Sequence, residues 1–188
     1  MARALASVLL VLLATRDAAA GSPDAVPARN QAVLLLRVLL YDRNLPRRAS
    51  TSEVKVAVVT KNGGDEGTAS DGDDVATAVK QLSGRAVVGG RKIVLLHLKP
   101  AALAATLEHE QIAAVYFGAG VEPLAPMIAA TDRAKTLTFS ADPRAIEAGA
   151  AVGFVAQGDR IALSMNLQRV RAGGAELDSE LLALAELR

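Results

Sequence analysis

Apolar and polar positions alternate cleanly in only one stretch of this chain, near its end. IALSMNL sets Ile161, Leu163, Met165 and Leu167 against Ala162, Ser164 and Asn166, the period of a half-buried strand. Gly158-Asp159 turns this strand (residues 160–166) back onto residues 151–157, which predicts an antiparallel hairpin. Further upstream, Val54, Val56, Val58 and Val59 in EVKVAVVT leave little polar alternation, as expected of a strand covered on both faces. Residues 92–98, 112–117 and 135–140 read as further strands, and residues 85–88 as a short partner of the first of these across Gly89-Gly90.

Helical stretches separate these runs. Asn30 is placed to cap a helix over residues 31–42, apolar on nearly all sides and therefore buried. Pro46 and the basic pair Arg47-Arg48 then open a surface loop. Residues 61–74 form a polar loop running into a helix over 75–82, and helices follow at 101–110 (after Pro100), 124–134 and 143–148. Beyond the last strand the pattern gives a short helical turn, a break at Gly173-Gly174, and a final helix capped by Asp178 or Ser179. That helix would carry Leu177, Leu181, Leu184 and Ala185 on one face. Strands separated by helices of this length imply a mainly parallel sheet. The predicted fold is a three-layer, Rossmann-like α/β sandwich ending in an antiparallel hairpin and a terminal helix. No internal repeat and no heptad pattern interrupts it.

Composition adds a compartment to this picture. The first twenty residues read as a secretory signal peptide: Arg3, an apolar run over 4–14, and Ala18-Ala19-Ala20 before Gly21 as an A-x-A cleavage site. Arg16-Asp17 ends the run short of the ~20 residues that a membrane span needs. Residues 21–29, with Pro23 and Pro27, read as a flexible leader, and residues 30–188 as a single domain with ample apolar content, 51% of the chain being hydrophobic. The expected product is periplasmic, without membrane insertion. Cleavage removes Arg3, Arg16 and Asp17, so 21 basic and 20 acidic residues become 19 and 19. A neutral chain with dispersed charge carries no electrostatic footprint for nucleic acid. With no cysteine there are neither disulfides nor thiolate metal sites, and no lipoprotein anchor.

Candidate chemistry is sparse. Asp65, Glu66, Asp71, Asp73 and Asp74 crowd one segment, but their spacing does not match an EF-hand, and a solvated, flexible loop accounts for them. His97 and His109 are the only histidines, and an acid/base or metal pair would require them to converge. His109, between Glu108 and Glu110, reads as a solvated helix-end residue. Gly118 and Gly120 follow the strand AAVYF and lead into a helix, where open α/β sheets bind ligands, so they mark a candidate ligand loop. They lack the full G-x-G-x-x-G pattern, and position 123 is proline. Asn62-Gly63-Gly64 lacks the Lys-Ser/Thr of a P-loop. No G-x-S-x-G elbow and no Ser-His-Asp arrangement is legible. The chain is expected to have no catalytic, metal or cofactor-binding residues and not to be an enzyme.

The tail carries a resemblance. Asn166-Leu167, Arg169, Gly173 or Gly174, Leu177, Ser179, Leu181-Leu182 and Leu184-Ala185 are similar to the close of the YfiR/HmsC-like periplasmic proteins. GFVAQGDRIALSMNL resembles the terminal hairpin of that family, GRKIVLLHL one of its strands, and QAVLLLRVLLYDRNLP its first helix. The matched positions, over roughly residues 30–188, are mostly small or apolar and so mark a shared core. The resemblance implies a regulator of cyclic-di-GMP signalling and biofilm. Such a protein represses an inner-membrane diguanylate cyclase by contact with its periplasmic sensor domain, and an outer-membrane lipoprotein relieves the repression. Disulfides, frequent in that family, have no counterpart here. A homodimer is compatible with this picture. The other reading is a small-ligand binding module akin to one lobe of a periplasmic binding protein.

Overall fold

The computed structural model describes residues 25–64 and 70–188. The expected signal sequence, residues 21–24 of the expected leader, and residues 65–69 with Asp65 and Glu66 lie outside the described residues. The chain forms one eight-stranded sheet in the order β2-β3-β1-β4-β5-β6-β7-β8. Its strands are β1 (Glu53–Val59), β2 (Val87–Val88), β3 (Arg91–Leu98), β4 (Ile112–Phe117), β5 (Leu137–Ser140), β6 (Val152–Gln157), β7 (Arg160–Met165) and β8 (Ala185–Leu187). β3, β1, β4, β5 and β6 run parallel to their neighbours, while β2 and β7 pair antiparallel with β3 and β6. β1 and β4 sit at the centre and are fully apolar through most of their length; all six residues of β4 are buried.

Two cores flank the sheet, which makes three layers. On one face α1 (Ala28–Leu40) packs with α3 (Asp71–Ser83), burying Leu35, Leu39, Val75 and Val79 against Val56, Val58, Tyr116 and Phe139. On the other, α4 (Pro100–His109), α5 (Leu124–Arg133) and α6 (Pro143–Glu147) bury Leu103, Met127, Ile128 and Ala145 against Ala57, Val59, Val115 and Phe117. Three short helices complete the chain: α2 (Leu45–Arg48), α7 (Leu167–Ala172) and α8 (Ser179–Leu182).

Several sequence-based boundaries move, each for a physical reason. α1 starts at Ala28 rather than after Asn30, with Pro27 as cap, and Val26 before it is buried, its carbonyl accepting from Gln31 Nε2 at 2.7 Å. α3 starts at Asp71 instead of Val75. Ser70 Oγ accepts from the Asp73 amide while the Asp73 carboxylate accepts from the Ser70 amide, a reciprocal cap that draws the acidic stretch into the helix. Asp71, Asp73 and Asp74 therefore form a helical first turn, not a flexible loop, and there they complement the positive end of the helix dipole.

The segment expected to be a surface loop at Pro46 is the one-turn helix α2, and Arg48 in it is buried. Its Nε and Nη2 donate to Asp42 Oδ2 at 3.0 and 2.6 Å, and Nη1 donates to the carbonyls of Ala113, Gly173 and Lys135. Asp42 Oδ1 accepts from the amides of Asn44 and Glu176. This buried pair ties α2, the start of β4, the approach to β5 and the C-terminal segment into one knot at the amino ends of the central strands.

The terminal helix is the largest correction. α8 is a single turn capped by Asp178, and the chain then straightens into β8, which pairs parallel with β7 (Leu163 opposite Ala185, Met165 opposite Leu187). Leu177 and Leu181 are buried, but Leu184 is 78% exposed, so the expected common face of Leu181, Leu184 and Ala185 does not form.

Candidate functional site

The strand order makes β1 and β4 the point at which the connections diverge. From β1 the chain crosses to β3 on one side, and from β4 to β5 on the other. Open α/β sheets bind ligands in the crevice beyond such a pair. Here that crevice is filled from above by the first turn of α3. A Cβ on Gly72 would lie 2.7 Å from Thr60 Cγ2 and 3.0 Å from Gly118 Cα, so helix and strand end approach backbone to backbone. Gly118 is thus a packing residue: its amide donates to the Val59 carbonyl at 2.9 Å. Gly120, at φ +69°, turns the loop so that its amide reaches Asp142 Oδ2 at 2.9 Å. Both glycine amides that could have received an anion are used within the chain, and three carboxylates crown the adjacent helix end.

Around this point the structure assembles groups that lie far apart in sequence. His97 Nε2 at the end of β3 is 3.0 Å from Thr60 Oγ1 and 3.1 Å from Asp73 Oδ1. Asp73 Oδ1 is buried and makes no hydrogen bond of its own; the group facing it is the His97 ring, at 3.1 Å. Thr60 Oγ1 also accepts the Gly63 amide, and Gly64 (φ +83°) passes so close that a Cβ there would be 2.6 Å from His97 Nδ1. Ser70, Asp73 and His97 therefore meet, but not in the roles of a hydrolase. A nucleophilic hydroxyl needs one ring nitrogen to itself, with the carboxylate on the other. Thr60 and Asp73 share Nε2, and Ser70 Oγ donates to Asp73 instead. The cluster fastens the β1–α3 loop to β3.

The electrostatics follow from this packing. Burial pushes the Asp73 carboxyl up, but the Ser70 hydroxyl and amide, the Thr60 hydroxyl and the charge of His97 outweigh it and hold the group below the usual carboxylate range. Asp142 behaves alike: burial opposes ionisation, and the Arg144 guanidinium together with the Gly120 and Arg144 amides overcomes it. Asp71 is raised, by burial first and then by the charge of Asp74. Tyr116, fully buried on β4, is pushed well up by burial and by Asp71; its hydroxyl donates to Gln31 Oε1. Gln31 thereby joins α1 to β4, a buried polar bond that no periodicity in the sequence signals.

His109 closes α4 at the opposite end of the sheet from His97, so the two histidines do not converge. It lines a cleft of about 680 Å³ with Arg47, Glu108, Arg133 and Lys135, over Leu107 and Ile112. Among the described residues, no group of three or more His, Cys, Asp or Glu side chains could hold a metal ion.

The tail signature converges on the Arg48 knot and its surroundings. Asn166 caps α7 by accepting the Arg169 amide, Arg169 pairs with Asp132 at 2.5 Å, and Gly173 lies against the backbone of Thr136 and Leu137 while its carbonyl accepts from Arg48. Gly174 packs beside Arg48 and Lys135, and Leu177 bridges to Asp42. Ser179 is exposed, and Leu182 and Ala185 are half-buried. A family model described as YfiR/HmsC-like matches residues 28–186, a span that runs from α1 into β8. The chain belongs to the YfiR/HmsC-like family.

Among curated proteins no relative of this YfiR/HmsC-like chain matches. Solved structures share its fold. A conserved domain protein from Vibrio cholerae superposes with a TM-score of 0.54 at 16% identity, over 87% of this chain and 60% of that one. The ABC domain in complex with L-Trp from Streptococcus pneumoniae gives 0.52 at 12% identity, over 86% and 61%. This chain thus spans about three-fifths of the length of either structure, and at such identities the likeness is one of fold.

Proposed function

We propose that this chain is a periplasmic regulator that represses an inner-membrane diguanylate cyclase by binding its periplasmic sensor domain, with an outer-membrane lipoprotein relieving the repression. The family match over residues 28–186 carries the reading. Three observations support it. The N-terminal sequence has the form of a secretory signal. Among the described residues no helix is long and apolar enough to cross a membrane. Among the described residues, the Ser70, Asp73 and His97 side chains meet as a loop fastening, an arrangement that fits a protein acting by binding.

Pull-down of the exported protein with the sensor domain of a diguanylate cyclase encoded beside it should recover a complex, and deletion of the gene should raise cellular cyclic-di-GMP several-fold. No complex and unchanged cyclic-di-GMP would overturn the proposal and leave small-ligand binding in its place. Mass spectrometry of the exported product should find Gly21 at the N-terminus. An intact Met1 on protein in the cytosol would refute the periplasmic assignment.

A further inference from the structure

The cleft at the amino ends of the central strands concentrates positive charge. Its volume of about 680 Å³ is that of a small-molecule site, and it lies at the other end of the sheet from the crevice that α3 fills. Arg47, Arg133 and Lys135 line it. They come from three places in the chain: α2, the last turn of α5, and the turn that follows α5. All three are exposed, and none has a carboxylate partner or a side-chain hydrogen bond among the described residues.

The carboxylates around the cleft do not cancel this charge. Glu110 is bound to Lys55, and Asp42 is matched by Arg48. Among the described residues that leaves one lining carboxylate, Glu108, against three cations. The carboxyl ends of α4 and α5 open on the same cleft, and such ends attract cations. Here backbone amides already take their last carbonyls: Glu110 donates to Thr106, Ala134 to Ala130, Lys135 to Asp132 and Thr136 to Thr131. Capping therefore leaves the side-chain donors of Arg133 and Lys135 unused.

Lys135 supplies an independent sign. Its φ of +52° makes it the only non-glycine residue with a positive φ among the described residues. It sits just past α5, a position that glycine commonly fills because a Cβ is costly there. Gly174 makes room for it, since a Cβ on that glycine would come within 3.2 Å of the Lys135 Cβ. Lysine is held in this backbone conformation for its side chain, and that side chain lines the cleft.

We propose that the cleft binds a small oxyanion with two or more negative charges, a phosphate or a polycarboxylate, gripped by Arg47, Arg133 and Lys135. Guanidinium groups meet either kind of oxyanion with paired N–H donors, and the ammonium adds a compact charge. Titration calorimetry of the exported protein with inorganic pyrophosphate and with citrate, at low salt, tests this. At least one should bind one-to-one with a Kd of about 1 mM or below. Pyrophosphate alone would identify a phosphate site, citrate alone a carboxylate site, and both a site for compact polyanions.

Arg133→Gln and Lys135→Gly should each weaken binding at least about fivefold, because each removes a charge-assisted contact. Arg160→Gln, an exposed cation lost at the β6–β7 turn, should leave it unchanged. Lys135→Gly separates binding from structure: it installs the residue suited to this backbone, so the melting temperature should stay within about 2 °C of the parent or rise while affinity falls. A lower melting temperature with unchanged affinity would make Lys135 a structural residue and overturn the proposal. So would no binding of either anion up to about 10 mM, or an equal loss in Arg160→Gln, which would mean charge attraction without a site. Binding of a hexaglutamate peptide alone, lost in the Arg133 and Lys135 variants, would replace the small anion by an acidic protein segment and would also overturn it.

Discussion

Arg48→Met should lower the melting temperature by roughly 6 °C or more, although the residue lies in a segment whose composition suggests an exposed turn. The side chain is 6% exposed and its partner Asp42 is fully buried. Methionine fills much of the volume but leaves the carboxylate without its cation, and three carbonyls, of Ala113, Lys135 and Gly173, without their donor. Removing one partner of a buried ion pair costs about 3–5 kcal/mol, because the other is left uncompensated in low dielectric. In a domain of this size each kcal/mol moves the midpoint by about 2–4 °C.

Arg48→Lys should recover only part of the loss, since an ammonium cannot reproduce a fork that grips one carboxylate oxygen with two nitrogens and still reaches the backbone with the third. The double variant Asp42→Ala/Arg48→Met should lose clearly less than the sum of the two single changes, the signature of groups acting as a pair. Thermal denaturation of the four proteins tests this. A single variant within about 2 °C of the parent, or strict additivity in the double, would show that the knot does not hold the tail to the sheet.

The architecture was legible because it rests on periodicity. Ile112–Phe117 was bounded to the residue, and the hairpin at Gly158-Asp159, the helix after Pro100 and the short partner across Gly89-Gly90 all came from local pattern and turn chemistry. The candidate site was much less legible, because its contacts depend on strand order. That β3 lies beside β1 brings His97 to Thr60 and Asp73, while α4, running back down the sheet, carries His109 to the far end. No spacing between residues 60, 73 and 97 encodes that. Local competition hid other features. The Ser70–Asp73 cap was a legible signal, but the acidic composition around it suggested a solvated loop. Arg48 follows proline and another arginine, the surroundings of a surface turn, and only the distant Asp42 and the glycine-rich return at Gly173 make its burial tolerable.

The tail offers the sharpest test of where local pattern yields to pairing. Leu181→Asp should be strongly destabilising and Leu184→Asp nearly silent, although sequence periodicity puts both on one helical face. Leu181 is 5% exposed in the main core, and a carboxylate there must be desolvated without a partner or protonated, at a cost of several kcal/mol. Leu184 sits where α8 gives way to β8 and points to solvent, so its replacement falls within the roughly ±0.5 kcal/mol of ordinary surface changes. The expected readout is a midpoint at least about 4 °C lower for the first variant and within about 2 °C of the parent for the second. Equal, large losses would mean that the helix continues through Leu184 and that β8 does not form. Equal, negligible losses would mean that the tail is not docked, and the contacts linking Leu177 and Glu176 to Asp42 would fall with it.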